Sequence, residues 1–130
     1  MGKKYLAKIL ARDTHGLKLI SAHCFKAKTT ISQIKYLKKN KIFIIFLKRF
    51  LREKKSDEKV LSVCKFEFVD NVKSKNIDQN NEKLVLELLT IELLKNEDKY
   101  EICLIFSNNA YITLSTEIVE ATLEDQNKDL

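Results

Sequence analysis

Residues 36–51 are YLKKNKIFIIFLKRFL, an apolar run entered through a polar step. Lys38, Lys39, Asn40 and Lys41 make the step; Asn tolerates the left-handed backbone of a tight hairpin. Residues 42–51 are apolar on both faces at first and then alternate. Such a strand must be central or covered, because an exposed edge of that composition would template aggregation. The unbroken apolar run at 42–47 is far short of the ~20 residues that span a bilayer.

Upstream, Thr29 to Tyr36 alternate in a β-branched pattern that predicts one strand. Before it, Leu17, Ile20, Ser21 and Cys24 recur at helical spacing, with Asp13 or Thr14 as the cap and an end near Ala27. Residues 5–11 predict a first strand. Downstream, 52–59 make a charged turn and 60–69 a strand. The polar, Asn-rich segment 70–83 reads as a loop, with room for the preceding strand to extend through Val72. Residues 84–94 fit helix or strand, the turn after them favouring a hairpin strand, and 100–106 and 111–114 read as strands. The tail 115–126 fits helix or strand; β-branched Thr116, Ile118, Val119 and Thr122 favour the strand. No repeat or linker divides residues 1–130, so they form a single domain. The expectation is an α+β fold: an antiparallel β meander of about seven strands with one N-terminal helix, either curled as a small barrel like a pleckstrin-homology module or packed by one face on the helix.

Composition narrows the function. With two Gly and no Pro, turns must use Asn, Asp, Ser and Lys, and no Gly-rich phosphate loop is available. Three cysteines about 40 residues apart, Cys24, Cys64 and Cys103, sit among apolar residues and predict buried, reduced thiols in a cytoplasmic protein. No secretory leader, membrane span or acylation signal is legible in residues 1–130.

Nothing in the pattern assigns a catalytic residue, a metal or a cofactor. His15 and His23 would be separated by two helical turns, roughly 12 Å, and no metal-ligand spacing is present. The carboxylate pairs Asp57-Glu58, Glu97-Asp98 and Glu124-Asp125 read as solvated turn or tail residues. Acid–base work needs a desolvated carboxyl.

Charge is the uneven feature. Residues 1–65 hold 18 Lys and Arg against 4 Asp and Glu; residues 66–130 hold 6 against 14. Lys38, Lys39, Lys41, Lys48, Arg49, Arg52 and Glu53 make the candidate binding surface, with Arg49 and Glu53 four apart on one strand face. Tyr36, Phe43, Phe46 and Phe50 lie beside them and read as core. Cations beside aromatic residues on a sheet also suit stacked nucleic-acid bases. Lys outnumbers Arg 21 to 3 here, and Lys lacks the planar fork that favours phosphate.

Several segments together resemble a known family: ISAHCFKA (20–27), YLKKNKIFIIFLKRFLRE (36–53), VDNVKSKNID (69–78), LELLTIEL (86–93) and ITLSTEIVEATLEDQ (112–126). They are similar to the short alphaproteobacterial proteins grouped as domain of unknown function 2948. The matching positions are Asp13, Ile20-Ser21-Ala22, Arg49-Phe50, Glu53, Glu117, Ile118, Glu120, Ala121, Leu123 and Asp125. The chain departs at Phe25-Lys26, where a polar pair is expected, and at Lys48, where Asn is expected. The resemblance implies a bacterial cytoplasmic protein and no activity. The reading taken forward is a non-enzymatic module that binds another protein, with self-association compatible. The alternatives are association with RNA or the ribosome through the basic hairpin 35–55, and small-molecule binding or an enzyme whose site the pattern hides.

Overall fold

A computed structural model describes residues 6–51 and 58–126. Among these residues the chain forms ten strands and one α-helix. In order they are β1 (Lys8–Ala11), α1 (Thr14–His23), β2 (Lys28–Thr30), β3 (Ile34–Leu37), β4 (Ile42–Phe50), β5 (Lys59–Phe66), β6 (Val69–Lys75), β7 (Val85–Asn96), β8 (Lys99–Phe106), β9 (Ala110–Thr116) and β10 (Ala121–Asp125). The class is as expected, mostly antiparallel sheet with one helix. The strand count of about seven is too low, for three local reasons.

The predicted 29–36 strand is broken by a 3₁₀ turn at Ile31–Gln33, where Gln33 Oε1 accepts from the Thr30 amide. The predicted loop 70–83 begins as β6, seven residues paired with β9 through a register shift between Val69 and Asn71. The ambiguous tail divides: β9 runs to Thr116, and β10 begins at Ala121.

The strands lie in the order β1-β10-β5-β4-β2-β7-β8-β9-β6, with β3 also on β4. β1 and β6 end the order, so the sheet is open and not the closed barrel, one of the two forms expected from sequence. It nevertheless folds around one interior. Phe43, Ile45 and Leu47 of β4, Cys64 and Phe66 of β5, and Ile102, Leu104 and Leu114 of β8 and β9 are buried in a single cluster. The helix enters that cluster through Leu17 and Ile20. Its N-cap is Asp13, whose carboxylate accepts from the Gly16 amide at 2.8 Å, satisfying one of the four orphan donors of a first turn. Gly16 is needed for packing: a Cβ there would lie 2.8 Å from the Ala11 Cα and Cβ on β1.

With so little Gly, the reversals fall on other residues. Positive φ occurs at Lys26, Lys41, Phe68, Asn76, Glu97, Asn108 and Asn109. Asn takes three of these, as the local side-chain bonding of that residue allows. The β5–β6 corner at Phe68 is the costly one, since a bulky side chain disfavours this region.

Candidate binding face

Alternation along β4 and β5 sorts their side chains into two sets. Phe43, Ile45, Leu47 and Arg49 are buried inside, as are Val60, Ser62, Cys64 and Phe66. The other set points outward: Ile42, Ile44, Phe46, Lys48 and Phe50 from β4, and Lys59, Leu61, Val63 and Lys65 from β5. The register lays them side by side, Ile44 against Lys65, Phe46 against Val63, Lys48 against Leu61 and Phe50 against Lys59. Lys35 and Leu37 of β3 extend the face on one side; Thr122 and Glu124 of β10, then Leu10 and Lys8 of β1, extend it on the other. Leu10 is 52% exposed and Leu37 43%. The helix packs mainly on β7 and β1, with further contact to β10, and its buried residues join the interior cluster. Among the described residues this outer face has an apolar middle and a lysine fringe.

The fringe is under electrostatic load. Lys28 on β2 is directly opposite Lys48 on β4. Like charges in that cross-strand position are destabilising. Lys65 is relieved by Glu67 at 3.1 Å, and the Lys59 ammonium stands 5.0 Å from the Phe50 ring centroid.

The predicted surface residues divide between this face and other places. Lys48 belongs to it. Lys38 and Lys39 lie on an exposed 3₁₀ turn, Lys38–Asn40. Lys41 pairs with Asp70 at 2.9 Å, and this hydrogen bond raises the ammonium pKa above its ordinary value. Arg52 and Glu53 lie outside the described residues. Phe46 and Phe50, read as core, are outward; only Phe43 of the three is inside.

Arg49 is the clearest correction to the surface assignment. Its side chain is fully buried and so is that of Asp125. Arg49 Nε donates to Asp125 Oδ1 at 2.9 Å and Nη2 to Oδ2 at 2.6 Å. The Ser62 hydroxyl donates to Oδ1 at 2.6 Å, the Ala7 amide to Oδ2 at 2.7 Å, and Arg49 Nη1 to the Phe50 carbonyl at 3.0 Å. Asp125 was expected to be solvated; it is interior because β10 alternates, placing it with Ala121 and Leu123 and turning Glu124 out. Burial pushes the Asp125 carboxyl up, but Arg49, Ser62 and the Ala7 amide outweigh it and hold the net pKa below the ordinary value. Ser62 therefore faces a stabilised carboxylate, a poor proton acceptor for a nucleophilic hydroxyl. The arrangement is a clasp between β4, β5 and β10.

The thiols divide as well. Cys24 and Cys64 are buried, and burial pushes Cys24 up to about 12 and raises Cys64 well above its usual value. Cys103 is half-buried on the outer side of β8, within 3.9 Å of the Thr113 hydroxyl, contrary to the expected buried thiol. His15 is exposed, and His23 Nδ1 lies 2.9 Å from the Leu19 carbonyl. Among the described residues no group of His, Cys, Asp or Glu has the geometry to hold a metal ion, and no helix is long and apolar enough to cross a membrane.

Fold and face together are an antiparallel sheet with one helix and a lysine-fringed outer surface. The chain belongs to the family described as Protein of unknown function (DUF2948), whose model matches residues 7–130. No curated protein matches it, and no solved structure does.

Proposed function

We propose that the chain is a non-enzymatic cytoplasmic binding module that docks a protein partner on the outer face of β3, β4, β5, β10 and β1. The observation carrying this reading is the outward set Ile44, Phe46, Phe50, Leu61 and Val63 within a fringe of Lys8, Lys28, Lys35, Lys48, Lys59 and Lys65. A contiguous apolar patch ringed by charge is the anatomy of an interface. Three free cysteines fit a reducing compartment. The test replaces Phe46 with a photo-crosslinking amino acid, with Tyr111 on the outer side of β9 as the control site. A discrete protein adduct is expected from position 46 and absent from 111, and Val63→Lys should abolish it. Equal adducts from both sites, or an adduct indifferent to Val63→Lys, would rule the face out.

Single-stranded nucleic acid is the second reading, favoured by Phe46 and Phe50 standing outward beside Lys48 and Lys28. It predicts material that nuclease removes and whose retention falls steeply with salt. Nuclease-resistant capture supports the protein reading.

A further inference from the structure

A second site lies where the sheet fails to close. The start of β6 is tied to β3 and to the residue before β4: the Tyr36 hydroxyl donates to the Val69 carbonyl at 2.8 Å, and the Val69 amide donates to the Lys41 carbonyl at 2.8 Å. Beyond these two bonds a cleft of about 260 Å³ is bracketed by Ile31 of the 3₁₀ turn and by Ile77 and Gln79 after β6. Its deepest lining reaches the core at Phe43 and Ile112, 1% and 4% exposed. Ile34 and Val72 make the facing walls.

We propose that this cleft binds a small neutral molecule, an apolar body of about ten carbon atoms carrying one hydroxyl or amide. The size is an upper bound by scaling, since an enclosed apolar cavity of about 150 Å³ accepts a six-carbon ring and this cleft is open to solvent on one side. The shape argues for a molecule and against an extended peptide, because the Tyr36–Val69 and Val69–Lys41 bonds seal one end and a strand needs both ends open. The lining sets the polarity. Six of the nine lining residues are aliphatic or Phe, and none is charged. A carboxylate or ammonium would therefore enter without a compensating partner, at a desolvation cost. The Tyr36 hydroxyl is committed as a donor but can still accept, and the Ser74–Gln79 pair at the rim is the second polar corner. Gln79 Nε2 donates to Ser74 Oγ at 2.8 Å, so the Gln79 carbonyl can accept from a ligand hydroxyl.

The experiment titrates the full chain with 1-decanol and with decanoate, reading backbone amide shifts and Tm. Decanol is expected to give saturable shifts at Val72, Gln79 and Ile112 and to raise Tm, with decanoate at least about tenfold weaker. Val72→Phe, which fills the cleft, should weaken decanol at least about tenfold. Gln79→Leu should weaken it about fivefold, the loss of roughly one hydrogen bond. Ile77→Phe, judged folded by circular dichroism, is the second filling variant should Val72→Phe fold poorly. Absence of saturable shifts up to the solubility limit of decanol would overturn the site. So would equal binding of decanoate, or undiminished binding by a folded filling variant.

Discussion

Asp125 accepts two bonds from Arg49, one from Ser62 and one from the Ala7 amide, in an interior that would otherwise penalise its charge. Such a pair contributes little net stability relative to apolar replacements, yet removing one member leaves the other buried charge short of its bidentate hydrogen bonds. Asp125→Asn should therefore destabilise the fold by about 3–5 kcal/mol, and adding Arg49→Met should cost less than the sum of the two single changes, as contacting residues do. Urea titration of the four proteins measures this, and simple additivity would refute it. The pH dependence has a definite sign. The folded carboxyl titrates below its unfolded value, so its contribution is complete above the unfolded pKa of about 3.9 and is lost as pH falls through the folded pKa. Asp125→Asn should remove that part of the acid sensitivity. Arg49 was misread as a surface residue: both faces of residues 42–51 are apolar, so the alternation that groups it with Phe43, Ile45 and Leu47 does not say which face is interior. Its partner 76 positions away was not legible, because nothing local couples β4 to β10.

Helix α1 combines two opposing local effects at one position. Gly16 costs about 1 kcal/mol of helix propensity relative to Ala, so an isolated helix would gain from Gly16→Ala. In the folded chain the added Cβ would meet the β1 backbone and side chain at Ala11, each 2.8 Å away. Packing should win, and the substitution should lower stability by about 1–3 kcal/mol; a rise in Tm would show that β1 yields instead. The helix was readable from the spacing of Leu17, Ile20 and Cys24, with Asp13 one of two candidate caps, although it ends at His23 rather than near Ala27. β6 was not. Asn71, Lys73, Ser74 and Lys75 are exposed, so only Val69 and Val72 carry an apolar signal over seven residues. The same half-empty strand leaves the cleft beside it. Phe46 and Phe50 were misplaced for the opposite reason: β4 is apolar on both faces, and apolar character by itself does not separate a core from a binding surface.

Over the whole molecule, the ends of the described chain are interlocked. β10 lies between β1 and β5. The Ala7 amide reaches the Asp125 carboxylate, the Asp125 amide bonds the Ala7 carbonyl at 2.9 Å, and the Gln126 amide bonds the Leu61 carbonyl at 2.8 Å. The basic first half and acidic second half of the sequence are thus mixed, since an acidic-half strand is inserted among basic-half ones. This topology makes the location of a chain break matter more than its occurrence. A circular permutant joining residues 1 and 130 through a short Gly/Ser linker, with new ends between Glu97 and Asp98, opens only an exposed hairpin turn. Its urea transition should stay cooperative, with an unchanged slope, because the same surface is buried, and with stability within about 2 kcal/mol of the parent, in the range of ordinary single substitutions. Deleting residues 121–130 removes fewer contacts in sequence than it does in space. It takes away β10, both pairings of that strand and the carboxylate that binds buried Arg49 through two nitrogens. That variant should show no cooperative transition at all. If the deletion unfolds cooperatively while the permutant does not, the β7–β8 hairpin organises the fold and the junction of the chain ends is secondary.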